Sequence, residues 1–226
     1  MRTMNALLIK QGKDSFHNLP SLMILMIYPA VAFIMTMAIK DEEGVSSFLV
    51  PMFAAMHCSF SPLVLSSNIL SEEKEKGTLR SLIMAGVGRV KYMISLSLFV
   101  MASVMLAGST FLLTKSFHVP AAAFLAATLA GTAISTVMGL CIGICSKNVT
   151  AANGMAVPVG LVFALVPMLG QFNDDMATAA KWTYSGQLRT VLEGGDFTAN
   201  VLWVSFAYFI AFCILLIFLF KRKGLE

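Results

Sequence analysis

The residues able to do chemistry are few, and their spacing mostly excludes it. Glu72 and Glu73 stand side by side, the pairing an intramembrane protease of the paired-Glu type uses. That chemistry also needs histidines in the later membrane segments, and spans three to six hold none. His17, His57 and His118 fall on different segments without ligand spacing, which argues against a metal centre. Ser185-Gly186-Gln187 is a fragment of a nucleotide-binding signature that lacks its second glycine. Gly12-Lys13 is followed by Asp14 and has no glycine five residues earlier, so no phosphate-cradling Gly-x-x-x-x-Gly-Lys-Ser/Thr loop exists. Cys58, Cys141, Cys145 and Cys213 all fall in apolar runs and are expected as free thiols. No catalytic residue and no metal ligand are assigned.

The densest charge lies between Ser71 and Lys91, where three Glu and five Lys or Arg gather in a chain that is only 12% charged. The stretch separates two apolar runs, so it belongs in water at a membrane surface. Ser71 is expected to cap a helix, with Glu72 and Glu73 near its positive end and Glu72 paired to Lys76. Gly77 weakens that helix and Thr78 is expected to cap a second, short one. On it Leu79, Leu82 and Ile83 share one face, with Arg80 and Ser81 on the other. Such a helix either rests on lipid headgroups or docks a soluble partner.

The elements around this stretch are membrane spans. The chain is 58% hydrophobic, with 17 Phe and 16 Met and a mean hydropathy of +0.81, above the roughly 45–50% apolar content of soluble domains. Residues 1–20 are too polar to span and are expected as an interfacial helix. Six spans follow, at about 21–39, 48–70, 92–113, 121–145, 149–169 and 201–220, each near the ~20 residues a bilayer requires. With the N-terminus in the cytosol, twelve of the 16 Lys and Arg fall in inner segments, as the positive-inside rule requires. The outer ones are Lys40, Lys115, Lys181 and Arg189. No Asp, Glu, Lys or Arg falls in a span core, which argues against a proton-coupled pump or an ion channel. No basic patch with interleaved aromatics points to nucleic acid.

The run Glu73, Glu75, Lys76, Gly77, Thr78, Leu79, Arg80, followed by a basic residue and a new span, resembles the loop of type-2 ABC exporter permeases. Thr183, Tyr184, Leu188 and Arg189 match a second signature of that family, before the last span; the usual Asn-Pro ahead of it is replaced by Lys181-Trp182. The resemblance covers essentially the whole chain. It implies a coupling helix seated in a groove of a separate ATPase subunit, which carries ATP and Mg, and a second permease copy or paralogue completing the pathway. It also implies re-entrant helices within 170–200, a stretch whose amphipathic pattern otherwise reads equally as a loop on the outer leaflet.

His57, Ser61 and Asn68 lie on nearly one face of the second span, and Asn153 in the fifth. Ser and Asn glue spans together by hydrogen bonds; the resemblance offers the other reading, a polar wall of the translocation path. Gly131, Ser135, Gly139 and Gly143 recur every four residues in the fourth span, a stripe for close helix packing. The expected protein is an all-α, six-span permease subunit in a cell membrane, a bacterial plasma membrane, with both termini cytosolic. Its expected cargo is hydrophobic, peptide, lipid-like or drug-like. The alternative is a six-span sensor or assembly scaffold without transport.

Overall fold

A computed structural model describes residues 2–38, 43–114 and 119–223. Lys40, Asp41, Glu42, Lys115 and His118 lie outside the described residues. Those described form helices and connecting turns, with no strand among them.

The order is α1 (Arg2–His17), α2 (Leu19–Ala38), α3 (Glu43–Glu75), α4 (Thr78–Met84), α5 (Arg89–Gly108) with a 3-10 turn to Leu113, α6 (Ala121–Cys145), α7 (Val149–Leu169), α8 (Asp174–Lys181), α9 (Tyr184–Leu192) and α10 (Ala199–Lys223). Six of them are long and apolar enough to cross a membrane: α2, α3 from Phe48, α5 with its 3-10 turn, α6, α7 and α10. This is a multi-pass membrane protein. The spans near 121–145 and 149–169 end where expected, because Ser146-Lys147-Asn148 breaks the apolar run and the Asn148 side chain accepts the Ala151 N–H at 2.8 Å as an N-cap.

α3 is the axis of the bundle. Its apolar stretch is 83% buried, against 11% for α10. α2, α5, α6, α7 and α9 all pack on it. It crosses α6 through the small-residue stripe. All four of Gly131, Ser135, Gly139 and Gly143 are buried. A Cβ on Gly139 would run into the Leu63 carbonyl and the Ser66 hydroxyl, and one on Gly143 would stand 3.0 Å from Leu70. Across the same seam the Ser66 hydroxyl meets the Thr136 carbonyl at 3.2 Å and the Pro62 carbonyl one turn back at 2.7 Å.

Two expectations about the charged stretch are corrected. Ser71 caps nothing: α3 continues unbroken through it to Glu75, and Ser71 is fully buried in the helix interior. Residues 63–70 just before it contain no glycine or proline, and the Glu-Glu-Lys-Glu that follows is made of good helix formers, so nothing stops the helix at the membrane boundary. Thr78 is not the cap of the short helix either. Gly77, at φ 69°, occupies that place. Its N–H bonds the Lys74 carbonyl at 3.1 Å, the left-handed stop that glycine supplies after a helix end. The Thr78 hydroxyl turns back instead and donates to the Glu73 carbonyl at 3.1 Å.

Candidate functional site

The end of α3 carries Glu72, Glu73, Lys74 and Glu75 in succession. Consecutive helical residues are about 100° apart, so four of them point nearly all round the axis. Each reaches a different part of the bundle. Glu72 accepts from the Asn18 amide at 3.1 Å, between α1 and α2. Glu73 pairs with Lys10 of α1 at 2.7 Å. The Lys74 ammonium donates to the carbonyls of Ile144 at 2.9 Å and Ser146 at 2.8 Å, where α6 ends. A cation suits that negative helix end. Glu75 accepts the Val149 N–H at 3.1 Å, where α7 begins, and a carboxylate suits that positive end.

Two of the charges outside the spans are tuned by this cluster. Burial draws the Lys10 ammonium down, but hydrogen bonds and charge from Glu73 and Asp14 outweigh it and hold it above its ordinary 10.5. Lys76, bonded to Glu72 at 2.5 Å, is likewise raised, chiefly by that hydrogen bond.

α4 hangs from this hub by Gly77, and its orientation corrects a further expectation. Leu79 is 1% exposed and sits in a core of this chain with Leu70, Tyr92 and Leu96. Leu82 and Ile83 pack against the same core. The apolar face of α4 is therefore used internally, because α3 and α5 offer it a neighbouring apolar surface. The outward face is Arg80, Ser81 and Met84, the last 80% exposed. Beyond it the turn Ala85–Gly86, Arg89 and Lys91 are also exposed.

His57 and Ser61 do not face outward. Both are fully buried. His57 Nε2 meets the Val104 carbonyl of α5 at 3.1 Å, and its Nδ1 meets the Ser61 hydroxyl at 3.2 Å. That hydroxyl donates to the Ile24 carbonyl of α2 at 2.8 Å. A carbonyl only accepts, so Nε2 carries a proton. The group is an interhelical knot joining α2, α3 and α5, and the reading of these two residues as a path wall is corrected to that extent. Asn68 and Asn153 are half-buried on α3 and α7, which pack together. The Asn68 carbonyl oxygen has no hydrogen-bond partner among the described residues.

Of the 170–200 stretch, α9 is the buried part. Thr183 caps it, accepting from the Gly186 N–H at 3.2 Å. The Tyr184 hydroxyl meets Ser135 of α6 at 2.7 Å. Leu188 fills the space left by Gly131. Arg189, only 5% exposed, pairs with Glu193 at 2.6 Å, donates to the Pro167 carbonyl of α7, and lies over the Phe48 ring. A plain loop on the outer leaflet is excluded for this part by its burial. Lys10, Asn18, Lys74 and Val149 are the contributors that sequence reasoning missed. A Lys within an acidic run was the available signal for Lys74; the others are known only from packing.

Among the described residues no group of three or more His, Cys, Asp or Glu is placed to hold a metal, and the four cysteines are free. Six helices able to span a membrane, gathered on a charged hub with a short helix held beside it, define a multi-pass membrane protein. The chain matches the model of the ABC-2 family transporter proteins over residues 3–185, and belongs to that family. The match takes in α1 to α8 and the start of α9; α10 lies beyond it. No curated protein matches the chain.

Proposed function

We propose that this chain is the membrane half of an ATP-driven exporter, working with a separate ATPase subunit that carries ATP and Mg and with a second permease chain. The observation that carries the reading is the hub: one helix end holds α1, the turn into α2, the end of α6 and the start of α7 at once, beside the exposed face of α4. Pressure on α4 reaches α3 through the Gly77 turn, and through Glu75 it reaches α7. Closure of the ATPases thus rocks the second and fifth spans together. Arg80, Ser81 and Met84 form the face that meets the ATPase, with Arg89 and Lys91 at its rim. Asn68 and Asn153 are the polar wall of the path, and α8 and α9 re-enter the outer leaflet. A path with few polar groups and no charge suits a hydrophobic, peptide, lipid-like or drug-like cargo. The α4 side, rich in Lys and Arg, faces the cytosol.

The test is expression of the chain with the ATPase encoded beside it, followed by co-purification and by ATP-dependent uptake of a hydrophobic reporter into inside-out vesicles. Retention of the ATPase and uptake that stops without ATP are expected. No retention together with no ATP-dependent movement would leave the scaffold reading in its place.

A further inference from the structure

α5 and α10 both pack on α6 and barely touch each other. Between them, at the end of the bundle that carries α4, runs a groove of about 440 Å³. Val137 and Leu140 of α6 form its floor, Ile94 and Leu98 of α5 one wall, and Ile217 and Phe220 of α10 the other. Ser97 also lines it, but its hydroxyl donates to the Met93 carbonyl of its own helix at 2.9 Å and leaves the wall apolar. From Val90 to Leu98 the α5 wall runs about 12 Å, at 1.5 Å per residue. A lipid chain on a convex helix surface touches one helix. Here it would lie against three.

The mouth of the groove has a different chemistry. Among the described residues lining it, Lys221 is the one charged side chain, and none is a carboxylate. Lys221 is exposed and has no hydrogen-bond or ion-pair partner among the described residues. Arg222 follows it at the end of α10, and Arg89 and Lys91 stand either side of the lining residue Val90 at the start of α5. These three are exposed and equally without a partner. The apolar spans end at this height, so four cations without counter-charge ring an apolar slot at the membrane surface. The ligand that matches both parts has an acyl tail and a net negative head. We propose that the groove binds one anionic phospholipid, an acyl chain on Leu140 between the two walls and the phosphate on Lys221. Basic sites between spanning helices on the cytosolic side take such heads. A zwitterionic head would bring its ammonium into a ring of cations that offers it no carboxylate. The lipid also supplies packing that the chain lacks: the apolar stretch of α10 is only 11% buried, and a bound tail joins it to α5.

The permease alone suffices for the test, so the outcome does not depend on an ATPase. Purified protein in detergent is titrated with dioleoyl-phosphatidylglycerol, dioleoyl-phosphatidylcholine or glycerol 3-phosphate, and bound lipid is counted by native mass spectrometry beside the thermal unfolding midpoint. One phosphatidylglycerol is expected to be retained in preference to phosphatidylcholine and to raise the midpoint. Lys221 is exposed and unpartnered, so Lys221→Gln folds; it should weaken phosphatidylglycerol binding about fivefold, the worth of one lysine at an anionic head. Ser97→Phe fills the groove without removing a bond between helices, and should abolish both the retained lipid and its effect on the midpoint. Lys147→Gln, on the turn between α6 and α7 and off the lining, should change neither. Equal retention of the two lipids, or unchanged binding in Lys221→Gln and Ser97→Phe, would overturn the assignment. So would an equal loss in Lys147→Gln, which would make the preference one of surface charge alone. Binding of glycerol 3-phosphate as tight as the lipid's would make the ligand a soluble anion, and a lipid-free dimer whose association Ser97→Phe breaks would give the groove to a second copy; either sinks the lipid site.

Discussion

The carboxylate of Glu75 accepts the backbone N–H of Val149 at 3.1 Å, so the last residue of α3 holds the first residue of α7 across 74 positions of chain. Both groups are exposed, and the bond contributes little to stability, about 1 kcal/mol or less. Its value is positional. Glu75→Ala is expected to leave the folded protein and its ATPase association nearly unchanged while ATP hydrolysis separates from export. Hydrolysis and reporter uptake measured in the same vesicles decide it; if uptake per ATP stays at the parent level, the contact plays no part in transmission.

The His57 knot leads to a prediction about stability. Ser61→Ala removes the donor to Ile24 and should cost about 1 kcal/mol. His57→Ala adds a cavity and should cost about 2–4 kcal/mol. Thermal midpoints in detergent give both values. Cargo selectivity per folded molecule should not move. Altered selectivity with an unchanged midpoint would return His57 to the path wall.

How much of this was legible beforehand depends on what kind of partner each residue has. Apolar length and the charges that punctuate it placed all six spans, because a bilayer tests those two quantities directly. Pattern also showed that Leu79, Leu82 and Ile83 share a face, but amphipathicity does not say which neighbour takes that face, and here it is the chain's own core. Ser71 looked like a cap because it precedes acidic residues, a signal that also occurs in an unbroken helix. His57 bonds a backbone carbonyl, and a carbonyl 47 positions away leaves no mark in the sequence. The four charges ending α3 were visible as a cluster, whereas their targets are helix ends brought there by folding.

The small-residue stripe predicts a graded series. The Leu63 carbonyl opposite Gly139 is backbone and cannot yield, while opposite Gly143 the Leu70 Cγ and Cδ2 can turn away and its Cβ, at 3.0 Å, must give by only a few tenths of an ångström. Overpacking costs about 1–3 kcal/mol. Gly139→Ala should lie at or above the top of that range and Gly143→Ala near the bottom, read as folded yield and unfolding midpoint. Equal effects would mean that α3 and α6 do not approach as closely as described.

Orientation is checked by labelling. Ser81 is exposed on α4, and Ser116 falls between the third and fourth spans, outside the described residues. A cysteine at position 116 should react with an impermeant thiol reagent on intact cells, and a cysteine at position 81 only after the cells are opened. The opposite pattern would place α4 outside.

The two faces of α4 should respond differently to truncation. Leu79 is buried within the chain, so Leu79→Ala should cost the permease itself about 2–5 kcal/mol, as large-to-small core changes do. The loss should appear in the protein alone, before any ATPase is added. Arg80 and Met84 touch no core. Arg80→Ala and Met84→Ala should leave the unfolding midpoint within about 0.5 kcal/mol of the parent. Yet at a partner groove a few central residues dominate the binding energy, at about 2 kcal/mol or more each, so these two variants should lose the ATPase on purification. Lys91→Ala, at the rim, should slow association more than it weakens the finished complex. If Arg80→Ala and Met84→Ala together retain the ATPase and full export, the outward face of α4 rests on headgroups and transmits nothing.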